Sequence, residues 1–487
     1  MQHHPRLVPL IVACALFMEN LDSTVIATSL PAIAADIGAN PLALKLAVTS
    51  YLLSLAVFIP ASGWTADRFG ARRVFAAAIF VFMLGSIGCA LASSLEGFVA
   101  ARIVQGMGGA MMTPVGRLVL VRSIEKRDLV GAMAWVTIPA LIGPVIGPPV
   151  GGFITTYASW HWIFLINIPI GMVGIVLVLL YIDPVPAEHQ EPFDGVGMLL
   201  AGLGVAGLAF GLSVAGLDML PWQIIVALVV GGAISMTAYL FHAKKIPAPI
   251  LDFSLLRYAT FRASVVGGFM FRLGIGAIPF LLPLMLQTGF GMTPFQSGMV
   301  TFAGALGAIG MKTVAARTIN HFGFRRVLIA NALISAVLLA AIAIFRPGMP
   351  VSVLITILLV GGFFRALEFT AVNTIAYAEI EERRMSRATA LASVGQQLSI
   401  SAGVAVGALM VEMSLSWRGA TDFTAADFTP AFLVVAAISA SSAIWFWRLP
   451  TDAGAEMSGR LPPAAQPEPE AKVEPIAAAE TSDRRLG

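Results

Sequence analysis

Stretches of about twenty apolar residues recur along the whole chain, parted by short polar joints. That is the length a helix needs to cross roughly 30 Å of hydrocarbon at about 1.5 Å per residue. Fourteen such windows can be marked, from Val8–Leu30 to Ala431–Trp447; little more than Ser94, Leu95 and Glu96 divides the third from the fourth. The fifth window, Gly131–Ile154, carries the run GPVIGPPVGG and no charge. In water this run would be a loop, because proline removes a backbone donor and glycine removes side-chain support. Inside a bilayer it reads as a helix whose neighbours re-satisfy the backbone and pack closely on it.

Loop charge then sets an orientation. One alternating set of joints holds most of the cations, among them Arg68, Arg72, Arg73, Arg122, Lys244, Lys245, Arg325 and Arg326, whereas the opposite set holds almost only Lys45, Arg346 and Arg418. Lysine and arginine concentrate on the cytoplasmic side, so with an even number of spans both termini are expected there. The first window lacks a basic leader and a small-residue cleavage site and contains Glu19 and Asp22, so it is expected to be a true span rather than a signal peptide. After Leu449 the chain turns to Pro, Ala and Glu, with too little apolar surface to order it.

Composition narrows the class. Of 487 residues 58% are hydrophobic and 12% charged, which no soluble globule shows. The net charge of +3 follows from the loops and implies no nucleic-acid partner. Cys14 and Cys89 both fall within windows and read as buried thiols rather than a disulfide. There is no Gly-x-x-x-x-Gly-Lys-Ser/Thr phosphate loop and no His/Cys cluster at metal-ligand spacing, so no enzyme, cofactor or metal site is expected.

A repeat organises the rest. GWTADRFGARRV follows the second window and ARTINHFGFRRV the tenth, sharing Phe-Gly-x-Arg-Arg-Val at one offset. Spans 1 to 6 then correspond to spans 9 to 14. The expected organisation is a six-helix bundle over 1–182, two inserted helices over 183–258, a second six-helix bundle over 259–449, and a disordered cytoplasmic tail over 450–487. The second loop has Asn320 and His321 where Asp67 and Arg68 stand in the first.

In these residues the chain resembles the major facilitator superfamily, and within it the fourteen-helix drug:proton antiporters of the EmrB/QacA type. Gly63, Asp67, Arg68, Gly70, Arg72 and Arg73 match that family's loop motif Gly-x-x-x-Asp-Arg-x-Gly-x-Arg-Arg. LDSTVIATSLP looks like its first-span signature, and Arg102, Gln105, Gly106, Gly108 and Gly109 resemble its fourth-span motif. Gly143, Pro144, Gly147, Gly151 and Gly152 are similar to its antiporter motif, and SWHWIFLINIPIG also looks like the fourteen-helix branch. The resemblance implies an all-α integral membrane protein of the major facilitator fold. It also implies alternating access, a small-molecule substrate exchanged against protons, multidrug efflux, and residence in the cytoplasmic membrane as a monomer, with or without accessory efflux partners.

Several residues carry chemistry of their own. Asp22 sits near mid-bilayer, where a charge costs roughly 2.5–3.5 kcal/mol, and is the expected proton-coupling group; Glu19, three residues earlier on the same helix face, is expected either to share that proton or to serve structurally, hydrogen-bonded to a neighbouring helix. Arg102 is expected to pair with a carboxylate such as Asp22, or else with helix carbonyls. In the loop, Gly63 is expected to let helices approach, Gly70 to make a tight turn, and Asp67 to latch onto guanidiniums. In the second half Arg365 and Glu368 are three apart and offer mutual neutralisation; Glu368 also stands as a further proton group. Arg272 has no acid in its own span and is expected to meet a carboxylate from another helix or an anionic or zwitterionic substrate. Arg365, Asn373, Gln105, Met112 and Phe271 complete the expected substrate contacts, with packing the competing role for the apolar ones. His161 and its tryptophans read as an interfacial belt.

Around Arg117, Arg272 and the eleventh-span loop the chain most resembles an MdtD-like branch, which implies organic-anion or metal-chelate export beside drug export. A proton-coupled uptake symporter and a non-transporting membrane sensor are the rival classes.

Overall fold

The computed structural model describes residues 7–124, 129–183, 193–214, 220–247, 249–381, 384–420 and 422–455. Among the described residues the secondary structure is entirely helical, and a helix lies over each of the fourteen windows, by which the spans are numbered here. Eleven helical stretches are by themselves long and apolar enough to cross a membrane; a twelfth results if Pro294–Lys312 and Ala315–Phe322, bent by 59° from one another, form one span. Helices Leu95–Ser123 and Leu129–Tyr157 lie over the remaining two windows. The proline-rich run is helical throughout, with Pro139, Pro144, Pro148 and Pro149 inside its helix. The expected tail lies outside the described residues from position 456 onward.

Local chemistry explains the joints. Ser94 accepts a hydrogen bond from Gly97 N at 3.2 Å and caps span 4. Gly70 and Gly323 end the short helices Ser62–Phe69 and Ala315–Phe322 with φ of 87° and 79°, a backbone region open to glycine and strained for other residues. The repeat is thus present in the backbone. It extends to side chains: Arg72 donates to Leu179 O, near the end of span 6, and Arg325 donates to Trp447 O, at the end of span 14, at 3.0 Å. In each half the first arginine of the shared motif ties the loop to an orphan carbonyl of the last helix.

The spans pack into two halves with one asymmetry between the ends of the molecule. At the end opposite the basic loops the halves share a continuous core, with Leu30, Leu46 and Phe98 in the same cluster as Leu282, Leu286 and Phe428. Toward the basic-loop end each half keeps a core of its own, one around Phe75 and Val115, the other around Phe324 and Val372. The shared end is also tied by polar contacts. Gln287 Nε2 donates to Thr28 O at 2.9 Å, Phe295 N donates to Thr156 Oγ1 at 3.1 Å, and Lys45 Nζ lies 3.6 Å from Glu412 Oε2. Lys45 is therefore no loop cation: the 3-10 turn Pro41–Leu44 leads straight into the helix, and its ammonium is buried against the other half.

Spans 7 and 8, Gly195–Val214 and Trp222–Ala243, pack on each other through Gly204, Gly207 and Gly232. Only 28% and 11% of their apolar windows are buried, against 78% for Ala259–Gly289, so this pair is peripheral and presents apolar side chains outward. It meets span 2 and span 13 through a cluster containing Leu53, Ala201, Tyr239 and Leu391.

Candidate functional site

The core of the first half encloses a polar knot. Asp22 and Arg102 are each 1% exposed and form an ion pair at 2.7 Å between Oδ2 and Nη1. Gln105, one turn along span 4 from Arg102, accepts from the same Nη1 at 2.5 Å and donates from Nε2 to Asp22 Oδ1 at 2.8 Å. Asn167 of span 6 donates to Asp22 Oδ1 at 2.9 Å, and Ser86 of span 3 accepts from both amides, at 2.8 and 3.2 Å. Arg102 Nε donates to Ala47 O at 3.3 Å, and its Cζ lies 4.2 Å from the ring centroid of Tyr51. Five spans therefore contribute to the knot, with spans 4 and 6 bonding the carboxylate itself. Breaking such a buried pair from one side costs about 3–5 kcal/mol, because an uncompensated charge remains.

Glu19 stands apart from this knot. It is half-buried, and its Oε2 accepts from Thr113 Oγ1 of span 4 at 2.8 Å. Arg117, one turn beyond Thr113, is exposed. The two carboxylates on span 1 thus occupy different surroundings: Asp22 is sealed and Glu19 is reachable.

In the second half Arg272 donates from Nη2 to Asn373 Oδ1 at 2.7 Å and lies 5.4 Å from the Phe369 ring centroid. Span 12 presents Arg365, Phe369 and Asn373 four residues apart along one stripe, all half-buried. Glu368 is fully buried and accepts from Asn331 Nδ2 at 3.1 Å. Arg365 and Glu368 do not pair: among the described residues Arg365 has no ion-pair partner, and its guanidinium lies over Gly304 and Gly361, 3.1 Å from where a Cβ would sit on either. Although three residues apart, the two turn to different neighbours: Asn331 of span 11 captures the carboxylate, and the guanidinium lies over Gly304 and Gly361.

Three expected substrate contacts move elsewhere. Gln105, Met112 and Phe271 are wholly enclosed, Gln105 in the Asp22 knot, Met112 in the first-half core and Phe271 beneath span 14, where its carbonyl accepts from Ser439. They offer no surface to a ligand in this conformation. The loop motif also divides. Asp67 Oδ1 accepts from Arg122 Nη2 of span 4 at 2.8 Å, while Arg68 and Arg73 are exposed. A Cβ at Gly63 would meet nothing within 4 Å, so that glycine serves no close approach.

The fifth-span run does serve one. A Cβ at Gly147 would fall 2.1 Å from Thr24 Oγ1 and one at Gly151 2.3 Å from Val25 O, both on span 1; one at Gly152 would fall 2.4 Å from Pro294 O in the other half. Pro144 lies within this helix, beside Gly143, which faces Leu21 and Asn20. The run therefore packs directly behind the helix that carries Glu19 and Asp22.

Sequence reasoning missed Asn167, Ser86 and Tyr51. Asn167 had a signal, an amide in the middle of the apolar run INIPIG; Ser86 and Tyr51 had none that separates them from ordinary span residues.

Comparison with known proteins agrees with this architecture. The Major Facilitator Superfamily model matches twice, over residues 12–266 and 264–475. Proteins named "Putative multidrug resistance protein MdtD" from Salmonella paratyphi A and Salmonella typhi are 39% identical over 446 residues, 91% of this chain and 94% of theirs. Among solved structures, a D-xylose-proton symporter superposes with a TM-score of 0.66 at 15% identity, covering 92% of this chain and 98% of that one. The human organic anion transporter MFSD10 superposes with a TM-score of 0.60 at 16% identity, covering 91% and 100%. At those identities the two structures speak to the fold alone.

Proposed function

Because the chain belongs to the major facilitator superfamily, a family of transporters rather than enzymes, we propose that it is a proton-coupled antiporter that exports small molecules across the cytoplasmic membrane. The observation that carries this reading is the sealed ion pair of Asp22 and Arg102 in the membrane interior. A proton arriving on Asp22 cancels the charge that Arg102 compensates, so loading and unloading must rearrange the knot. Spans 1, 4 and 6, which meet there, then shift together against the second half.

In this reading both termini and the basic loops face the cytoplasm, and the shared core with Lys45–Glu412 closes the outer end. The bundles 1–182 and 259–449 rock about each other, carrying the inserted 183–258 pair at the periphery, with the tail 450–487 free of the transport cycle. Substrate enters between the halves from the cytoplasm and meets Arg365 and Asn373 on one wall, with the buried Arg272 bonded behind Asn373, and the Glu19–Arg117 region on the other. Glu368 is a second proton-exchanging group. The relatives' printed name supports drugs as substrates. Organic anions are a second reading, favoured by two guanidiniums, Arg272 and Arg365, against the single carboxylate Glu368 in that wall.

Everted membrane vesicles energised by respiration test the function. Export predicts substrate accumulation that collapses with the proton gradient and is lost in Asp22→Asn and Arg102→Ala. Retention of gradient-driven accumulation by both variants would overturn the coupling site. Accumulation in whole cells instead would indicate a symporter, and no transport in either a sensor.

A further inference from the structure

Tyr51 of span 2 belongs to none of the motifs, yet its hydroxyl lies against span 4 at Gly109, between the two residues of that helix that hold the carboxylates of span 1. Gln105, Gly109 and Thr113 are four residues apart and stack on one face of helix Leu95–Ser123. Gln105 holds Asp22 and Thr113 holds Glu19, each at 2.8 Å. At the middle position there is no side chain. A Cβ on Gly109 would lie 3.0 Å from Tyr51 Oη, so glycine makes the slot that the hydroxyl occupies. Tyr51 is 2% exposed, and its hydroxyl has no hydrogen-bond partner among the described residues. A buried hydroxyl left in that state carries an unreturned desolvation cost. Glu19, Asp22 and Arg102 are the charged groups that act on it.

We propose that the Tyr51 hydroxyl relays the proton between Glu19, which is reachable from outside the core, and Asp22, which is not. The inference rests on the reading of Asp22 as the proton-exchanging group. In the step, Tyr51 Oη closes to hydrogen-bond distance of the carboxylates, accepts the proton of a protonated Glu19 and gives its own to an ionised Asp22. One O–H bond forms and one breaks at Oη, Glu19 is left ionised, Asp22 neutral, and the tyrosine unchanged. Asp22 Oδ1 is held by Gln105 and Asn167, whereas Oδ2 takes only Arg102 among the described residues. The proton therefore lands on Oδ2 and displaces Arg102 Nη1, and the guanidinium keeps its seat over the Tyr51 ring. A desolvated cation is attracted to the face of a ring, which offsets part of the loss of the ion pair. The same residue thus passes the proton with its hydroxyl and steadies the released cation with its ring.

Tyr51→Phe removes the hydroxyl and keeps the ring. In reconstituted vesicles carrying the full chain, gradient-driven net efflux is expected to fall about tenfold or more. Substrate–substrate exchange at equal pH, which needs no net proton movement, is expected to stay within about twofold, because binding and alternation are untouched. Unchanged net efflux, or a parallel fall in both assays, would overturn the relay. Tyr51→Leu, which loses the ring as well, is expected to lower both rates; equality of Tyr51→Leu and Tyr51→Phe in both assays would count against the seat for Arg102. Asp22→Asn run alongside separates the two ideas. If it keeps coupling, the coupling site itself is wrong; if it abolishes coupling while Tyr51→Phe is silent, only the relay fails.

Discussion

Arg102 makes four kinds of contact from one guanidinium: an ion pair with Asp22, a bond to Gln105, a bond to Ala47 O and a stack on Tyr51. A lysine supplies a point charge and cannot fork, so Arg102→Lys is expected to retain the fold and lose most gradient-driven transport. Removing one partner leaves the other charged and buried, whereas removing both leaves neither. Arg102→Leu is therefore expected to lower stability by about 3 kcal/mol or more, and the double variant Asp22→Leu/Arg102→Leu by less. Thermal unfolding in detergent measures the difference; a double variant at least as unstable as the sum of the singles would show that the pair is not coupled in this way. At this scale the sequence was informative where an ion lay in an apolar span, as with Asp22, Arg102, Arg272 and Glu368. It was uninformative about partners, because which helix faces which is not written in any local spacing. Arg365 and Glu368 show this: three residues apart, they were natural partners until span 11 supplied Asn331.

Two glycines that belong to motifs differ completely in their surroundings. At Gly151 a methyl group would sit 2.3 Å from the backbone carbonyl of Val25, whereas at Gly63 it would meet open space. Gly151→Ala must push span 5 off span 1, an overpacking cost of about 1–3 kcal/mol, and is expected to abolish transport in protein that still reaches the membrane. Gly63→Ala, inside helix Ser62–Phe69, is expected to leave transport unchanged and to stabilise the helix by up to about 1 kcal/mol. Inactive Gly63→Ala at normal abundance would show that this glycine works in another conformation. The helices themselves were legible from apolar windows, and the duplication from Phe-Gly-x-Arg-Arg-Val. The reason for that motif was not: Arg72 and Arg325 reach carbonyls near the ends of helices Asn167–Tyr181 and Thr429–Trp447, more than a hundred residues away.

Across the whole molecule, the halves share a continuous core at the end opposite the basic loops, Lys45–Glu412 bridges them there, and span 2 also meets span 13 through Leu53 and Leu391. Lys45→Glu sets two acids face to face and is expected to favour opening at that end, seen as faster labelling of a cysteine placed at Leu46. The swap Lys45→Glu/Glu412→Lys is expected to restore slow labelling; equal labelling in all three proteins would mean that the bridge does not hold the end closed. The sequence by itself determined a helical membrane protein, its spans, its internal duplication and the ions that lie at membrane depth. Those follow from local quantities, namely the length of apolar runs, the side on which cations collect and the cost of a charge in hydrocarbon. Only the tertiary structure decided which charges meet, that Lys45 is a bridge rather than a loop cation, that Gln105 serves Asp22 rather than a ligand, and that Tyr51 lies under Arg102 and against Gly109. Every one of those depends on the rotation and depth of one helix against another, and inside a bilayer close packing and polar contacts between distant segments set them.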